Sequence, residues 1–158
     1  MLAIRAASPA DVPVIMALIR DLAEYERLAH EVVGDEAQLH AHLFGERAAA
    51  EVLVGEVDGA VAGFALFFVS FSTFLTRPGI YLEDLFVRPE HRGSGLGKAL
   101  LARLAAVTRE RGYGRLEWSV LDWNEPAIAF YRAKGAEPVD GWTRYRVVGS
   151  ALEDLAGG

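Results

Sequence analysis

The sequence contains no cysteine, which excludes a disulfide framework, a thiolate zinc site and a cysteine nucleophile. It also lacks a long apolar run, since a stretch such as 63–69 is too short to cross a bilayer. Residues 1–5 show no basic region followed by a long apolar segment, so no secretory signal is expected. We therefore expect a cytoplasmic protein with no membrane partner.

Positive charge is also scarce. Lysine and arginine number 16 against 22 aspartates and glutamates, which gives a net charge of −6 at pH 7. Nucleic acid is therefore not expected as a partner, because binding phosphates requires a basic face. The acidic excess would favour a cationic substrate, although solubility alone accounts for it equally well. The histidines are scattered, and His40 and His42 would face different sides of a helix, so no metal site is expected.

The length of 158 residues, with 52% apolar and 24% charged residues, predicts one globular domain over residues 1–158. Alternating and apolar runs predict strands at 2–6, 51–57, 60–71, 80–87, 115–121 and 142–148. Helical spacing and capping residues predict helices from about 8 to 23, 35–44, 98–111 and 124–134. A hairpin turn is expected at 58–59 and a break at 78–79. The order β-α-α-β-β-β-α-β-α-β predicts an α/β fold with a mixed sheet covered by helices.

The clearest chemical signal is the loop between the strand at 80–87 and the helix at 98–111. Glycines 93, 95 and 97 would let successive N–H groups face one concavity at a helix N-terminus, as a diphosphate requires. The loop is not a Walker motif, because Lys98 is followed by Ala99 and Arg92 stands where the first glycine belongs. It is not a dinucleotide fingerprint either, since the spacing is G-x-G-x-G. Taken alone, it could be a flexible loop without a ligand.

The segment 92–97, Arg-Gly-Ser-Gly-Leu-Gly, resembles the R/Q-x-x-G-x-G/A signature of the GCN5-related N-acetyltransferases (GNAT). Blocks at 22–26, 81–84, 122–124, 130–131 and 141–142 are similar to the diamine (spermidine/spermine) and thialysine acetyltransferase branch of that family. The resemblance implies the GNAT fold, a mixed and mostly antiparallel sheet flanked by helices, with acetyl-CoA as co-substrate and no metal. It also implies a homodimer.

The resemblance assigns acetyl-CoA to backbone and side-chain groups along the strand, the loop and a later helix cap. These positions are Leu85, Phe86, Val87, Arg92, Gly93, Ser94, Gly95, Leu96, Gly97, Lys98, Asn124 and Tyr131. On spacing alone, Asn124 is an ordinary helix cap and Tyr131 a core residue.

Acetyl transfer to an amine needs a base, because an alkyl amine with a pKa of about 10.4 is almost fully protonated at neutral pH. Ionisation adds roughly 4–5 kcal/mol to the barrier unless a proton path is supplied. Glu83 is the candidate base, with a pKa that its apolar strand would raise, and Tyr131 is the candidate acid toward the thiolate. Regular strand alternation places Asp84 on the opposite face, as a structural residue or a contact for the amine.

The resemblance places Tyr25, Glu26, Phe74 and Trp142 around the amine, together with Glu83 and Asp84. Acids would hold a second ammonium group and aromatic rings would add cation–π attraction. The segment 71–74 lacks the acid found in polyamine-specific relatives, so a thialysine- or lysine-like amine is at least as well supported as a diamine or polyamine. Two alternatives stay open: an acyl-CoA sensor without catalysis, and an acetyltransferase of protein or peptide amines. Bulky Phe74 and Trp142 favour a closed small-molecule pocket over the latter.

Overall fold

The computed structural model describes residues 1–158, which form two compact units, Met1–Ser119 and Val120–Gly158. The first unit contains β1 (Leu2–Ala6), α1 (Val12–Tyr25), α2 (Glu36–Phe44), β2 (Glu51–Val57), β3 (Ala60–Ser72), β4 (Arg77–Val87), α3 (Leu96–Glu110) and β5 (Leu116–Trp118). The second contains α4 (Glu125–Ala133) and α5 (Gly149–Ala156). No helix is both long enough and apolar enough to cross a bilayer.

The five strands form one sheet in the order β1-β2-β3-β4-β5. Neighbouring strands are antiparallel from β1 to β4, joined at β2–β3 by the Asp58–Gly59 turn, in which both residues have positive φ. β5 pairs with β4 in parallel, after the crossover through α3. The predicted mixed, mostly antiparallel sheet with flanking helices is therefore confirmed.

The helices cover both faces of the sheet. A core cluster joins α1 and α2 to one face, through residues that include Ile15, Leu18, Val54 and Phe64. Leu96 in the first turn of α3 packs against Gly55 and Gly63, which alternate with residues of that cluster along their strands. Because successive residues of a strand face opposite sides, α3 covers the face opposite α1.

A β-bulge interrupts β4 at Glu83. Asp84 pairs with Leu66 and Leu82 pairs with Phe67, so Glu83 has no partner in the register. Leu82 and Asp84 therefore face opposite sides of the sheet, although residues two apart share a face in a regular strand. The prediction that Glu83 and Asp84 lie on opposite faces assumed regular alternation along the strand, and the bulge interrupts that alternation.

Some predicted elements differ from the structure. The segment 142–148 is not a strand: it carries strand-forming residues but is exposed throughout, and residue preference without a ladder partner does not make a strand. Pro78 and Gly79 do not break the chain but lie inside β4. Pro78 is tolerated there because it lies near the start of the strand, before the pairing with β5 begins. β5 is shorter than expected, and α5 was not predicted.

Candidate active site

The glycine loop forms the start of α3 through two left-handed residues. Gly93 has a φ of +82° and Gly95, the N-cap of α3, has a φ of +90°. Residues other than glycine rarely adopt such backbone angles. The Ser94 side chain accepts a hydrogen bond from the Leu96 amide at 3.3 Å, and the following amides of Gly97 and Lys98 belong to the helix turn that lacks intrahelical acceptors. The loop therefore presents N–H groups and the positive end of a helix, which suits a pyrophosphate.

Glycines in the sheet hold this helix start in place. A methyl group added to Gly63 would lie 2.6 Å from the Phe86 carbonyl oxygen, and one added to Gly55 would lie 2.7 Å from Leu96 Cδ1. Leu96, which is 1% exposed, occupies the space that these missing side chains leave. The first turn of α3 therefore packs directly on the sheet, beside the end of β4.

The strand β4 has an unpaired edge next to that helix start. Its pairing with β5 ends at Leu82, opposite Trp118, while β4 continues to Val87. Residues 83–87 are thus hydrogen-bonded as a ladder only on the β3 side. β4 therefore has no strand partner on the β5 side over residues 83–87, and the role of the Leu85, Phe86 and Val87 backbone toward the thioester carbonyl stays a prediction. The side chain of Phe86 is core, and those of Leu85 and Val87 are partly buried.

Three carboxylates gather where β4 meets the end of α1. Asp84 is partly buried, and its pKa is raised to about 7 by desolvation first and then by the charges of Glu83 and Glu26. Burial also raises the pKa of Glu26. Glu83 is exposed at the bulge, so the prediction that desolvation acts on Glu83 is wrong: the desolvated carboxyl is Asp84. The bulge is the cause, and no residue pattern in the sequence shows it.

Replacing Asp84 by asparagine is expected to stabilise the protein at pH 8 more than at pH 5. The raised pKa means that the folded state binds more protons than the unfolded state between about pH 4 and 7, so this group's contribution falls as pH rises through that window. The effect approaches about 4 kcal/mol above pH 7. Urea unfolding of wild type and D84N at both pH values measures it, and an equal difference between the two proteins at both pH values would contradict the raised pKa.

Arg92 connects the loop to α1. Its guanidinium carbon lies 4.6 Å from the centre of the Tyr25 ring, and its Nε donates to the Val87 carbonyl oxygen at 3.1 Å. A second link joins Arg88 Nε to Asp21 Oδ2 at 3.3 Å. The loop and the C-terminal half of α1 are thus held together, a relation that sequence spacing did not predict. Lys98 is exposed in the first turn of α3.

The aromatic residues predicted to enclose the amine are exposed to different degrees. Phe74, in the turn after β3, is 96% exposed, and Trp142 is 81% exposed in a segment without regular structure. Tyr25 ends α1 and is 37% exposed, with its ring against Arg92. Neither Phe74 nor Trp142 packs on its own unit, and the closed pocket expected from them stays a prediction.

The second unit carries the remaining candidates. Asn124 is buried and caps α4, accepting a hydrogen bond from the Ala127 amide at 3.4 Å, so its role as a helix cap is confirmed. Tyr131 lies in α4, partly buried, with its ring centre 5.5 Å from that of Phe130. The roles of Asn124 and Tyr131 toward acetyl-CoA stay predictions.

Comparison with known proteins adds independent information. The model of the acetyltransferase (GNAT) family matches residues 16–136, which contain the bulge, the glycine loop and α4. Thialysine N-epsilon-acetyltransferase of Bos taurus is 40% identical over 98% of this chain and 96% of that protein. L-ornithine N5-acetyltransferase of Arabidopsis thaliana is 34% identical over 96% of this chain and 86% of that protein. An integron cassette protein of V. cholerae superposes with a TM-score of 0.82 at 26% identity, covering 99% of this chain and 98% of the other.

Proposed function

This chain belongs to the acetyltransferase (GNAT) family, and we propose that it transfers the acetyl group of acetyl-CoA to a primary amine of a small lysine-like molecule. The observation that carries the proposal is the arrangement in the first unit. The amides at the start of α3 adjoin the unpaired edge of β4, and the same strand bears the carboxylates Glu83 and Asp84. Relatives named as acetyltransferases of thialysine and ornithine, matched over most of the chain, support the enzyme class.

In this proposal, the backbone of residues 93–98 holds the pyrophosphate of acetyl-CoA, and Asn124 keeps its predicted role toward the coenzyme. The backbone of residues 85–87 donates to the thioester carbonyl and stabilises the oxyanion that forms when the amine attacks. Glu83 accepts the proton of the ammonium, directly or through water. Because Glu83 is exposed at the bulge, a water molecule can reach its carboxylate and pass the proton to it. Tyr131 protonates the leaving thiolate. The acetyl group passes directly, since the chain has no cysteine to carry it.

The acceptor pocket that we propose uses Tyr25, Glu26 and Asp84, with Phe74 at its edge, and Trp142 keeps its predicted role toward the amine. The gathered carboxylates favour an acceptor with a second positive charge. Free lysine analogues and diamines both meet that condition. We favour the former because the related proteins named above act on thialysine and ornithine, and because the turn after β3 carries no acid.

We further propose that the chain works in the cytoplasm as a homodimer and that residues 1–158 act as one domain. Phe71, Phe74, Trp142 and Tyr145 are each more than half exposed, and a second copy would remove such large apolar side chains from water. Analytical ultracentrifugation tests this, and a monomer at micromolar concentration would contradict it.

An acetylation assay across amine classes tests the function. Release of free coenzyme A is followed with thialysine, lysine, ornithine, spermidine, an aminoglycoside and a lysine-containing peptide, and mass spectrometry identifies the product. We expect the highest kcat/KM for the free lysine-like amines. Tight acetyl-CoA binding without turnover would support a sensor instead, and a preference for the peptide would support a protein acetyltransferase.

A further inference from the structure

Arg92 belongs to the loop proposed to bind the cofactor, yet its side chain contacts other partners. The guanidinium carbon lies 4.6 Å from the Tyr25 ring centre and 5.7 Å from the Phe86 ring centre. Its Nε donates to the Val87 carbonyl oxygen at 3.1 Å. Three contacts to three different residues fix the orientation of the guanidinium plane, and two of them are to aromatic faces, where arginine stacks well.

The Tyr25 ring lies at the end of α1, where the backbone turns sharply. Glu26 is the C-cap, Arg27 has a φ of +60°, and the Leu28 amide closes the helix end by donating to the Ala23 carbonyl oxygen at 2.7 Å. A residue other than glycine in this left-handed region persists where the surrounding contacts hold it. The Arg92 guanidinium against Tyr25 is one such contact.

The neighbour of Tyr25 is Glu26, one of the three carboxylates that gather around Asp84. A displacement of Tyr25 would therefore move a group of the proposed amine pocket. The Val87 carbonyl, the other partner of Arg92, lies at the end of β4 beside the helix start. Arg92 thus links the end of β4 to the end of α1.

From these contacts we propose that the Arg92 side chain is a positioning residue for the acceptor amine, acting through Tyr25 and Glu26, rather than a ligand of the pyrophosphate. The inference rests on the proposed function, because it concerns the acceptor end of the same site. It separates two roles within one motif: the loop backbone binds the cofactor, and the arginine side chain aligns the acceptor pocket. Losing the guanidinium should then change the KM for the amine and leave acetyl-CoA affinity nearly unchanged.

Three variants test this. Arg92→Gln keeps an N–H donor for the Val87 carbonyl but removes the cation, Arg92→Lys keeps a cation, and Tyr25→Leu removes the ring. We expect R92Q and Y25L each to raise the acceptor KM by about three- to tenfold, in line with a partly exposed cation–π contact. The acceptor KM of the R92Q/Y25L double variant should be no higher than that of the more impaired single variant, because both substitutions remove the same contact. R92K should recover most of the acceptor KM.

Acetyl-CoA affinity, measured by calorimetry on the same variants, distinguishes a specific effect on the acceptor from a general loss of structure, which would weaken acetyl-CoA binding as well. We expect it within twofold of wild type. Weaker acetyl-CoA binding by R92Q with an unchanged acceptor KM would overturn the inference, as would effects of R92Q and Y25L that simply multiply. If R92Q does not fold, R92K and Y25L carry the test, and an acceptor KM unchanged in Y25L overturns it. Wild-type protein that releases no coenzyme A with any amine would instead refute the proposed function.

Discussion

The Glu83→Gln variant is expected to lose about 10²- to 10⁴-fold in kcat near pH 7, the range that general-base catalysis contributes. Glutamine has nearly the shape of glutamate but cannot accept the ammonium proton. The loss should shrink as pH rises, because each pH unit increases the neutral fraction of an amine with a pKa of about 10.4 roughly tenfold. Steady-state kinetics between pH 6.5 and 9.5 with a lysine-like acceptor measure both effects.

Glu110→Gln is the matched control for this substitution. Glu110 lies at the end of α3 and pairs with Arg103 at 2.9 Å in an exposed ion pair, which contributes little to stability. The same chemical change there should leave kcat and its pH dependence close to wild type. If E83Q also retains the wild-type pH–rate profile, Glu83 is not the base, and the neighbouring carboxyl of Asp84 becomes the group to test.

How far the sequence predicted this protein depends on the range of the interaction involved. Local signals succeeded: the predicted cap Asn124 accepts an amide hydrogen bond, and the glycine spacing located the start of α3. These features depend on interactions between residues at most four apart, so the local sequence is enough to predict them.

Features set by register and by partners were not predictable in the same way. The bulge at Glu83 exists because β4 has one residue more than β3 at that point, and it decides which of two adjacent carboxyls is desolvated. The segment 142–148 has the residues of a strand but not the ladder. The stacking of Arg92 on Tyr25 joins residues far apart in the chain, which spacing does not reveal.

The glycine loop gives the second large effect. Replacing Gly95 by alanine is expected to weaken acetyl-CoA binding about 10- to 100-fold, which corresponds to losing one hydrogen bond to a charged group. Gly95 has a φ of +90° at the N-cap of α3, where alanine is strained by about 1–2 kcal/mol, and the strain is relieved by turning the adjacent amides. Calorimetric titration with acetyl-CoA measures the loss.

Gly112→Ala is the control that separates backbone strain in the left-handed region from a loss of acetyl-CoA binding. Gly112 follows α3 with a φ of +71°, and a methyl group there meets no atom within 4 Å, much as one on Gly95 meets only Leu2 Cδ1 at 3.8 Å. Both variants should therefore lose a similar unfolding free energy, about 1–2 kcal/mol, because both force alanine into the left-handed region. Only G95A should lose affinity, since only its amides adjoin the proposed pyrophosphate. Equal affinities in the two variants would mean that the backbone at the start of α3 does not hold the cofactor, and the function built on that loop would have to be abandoned.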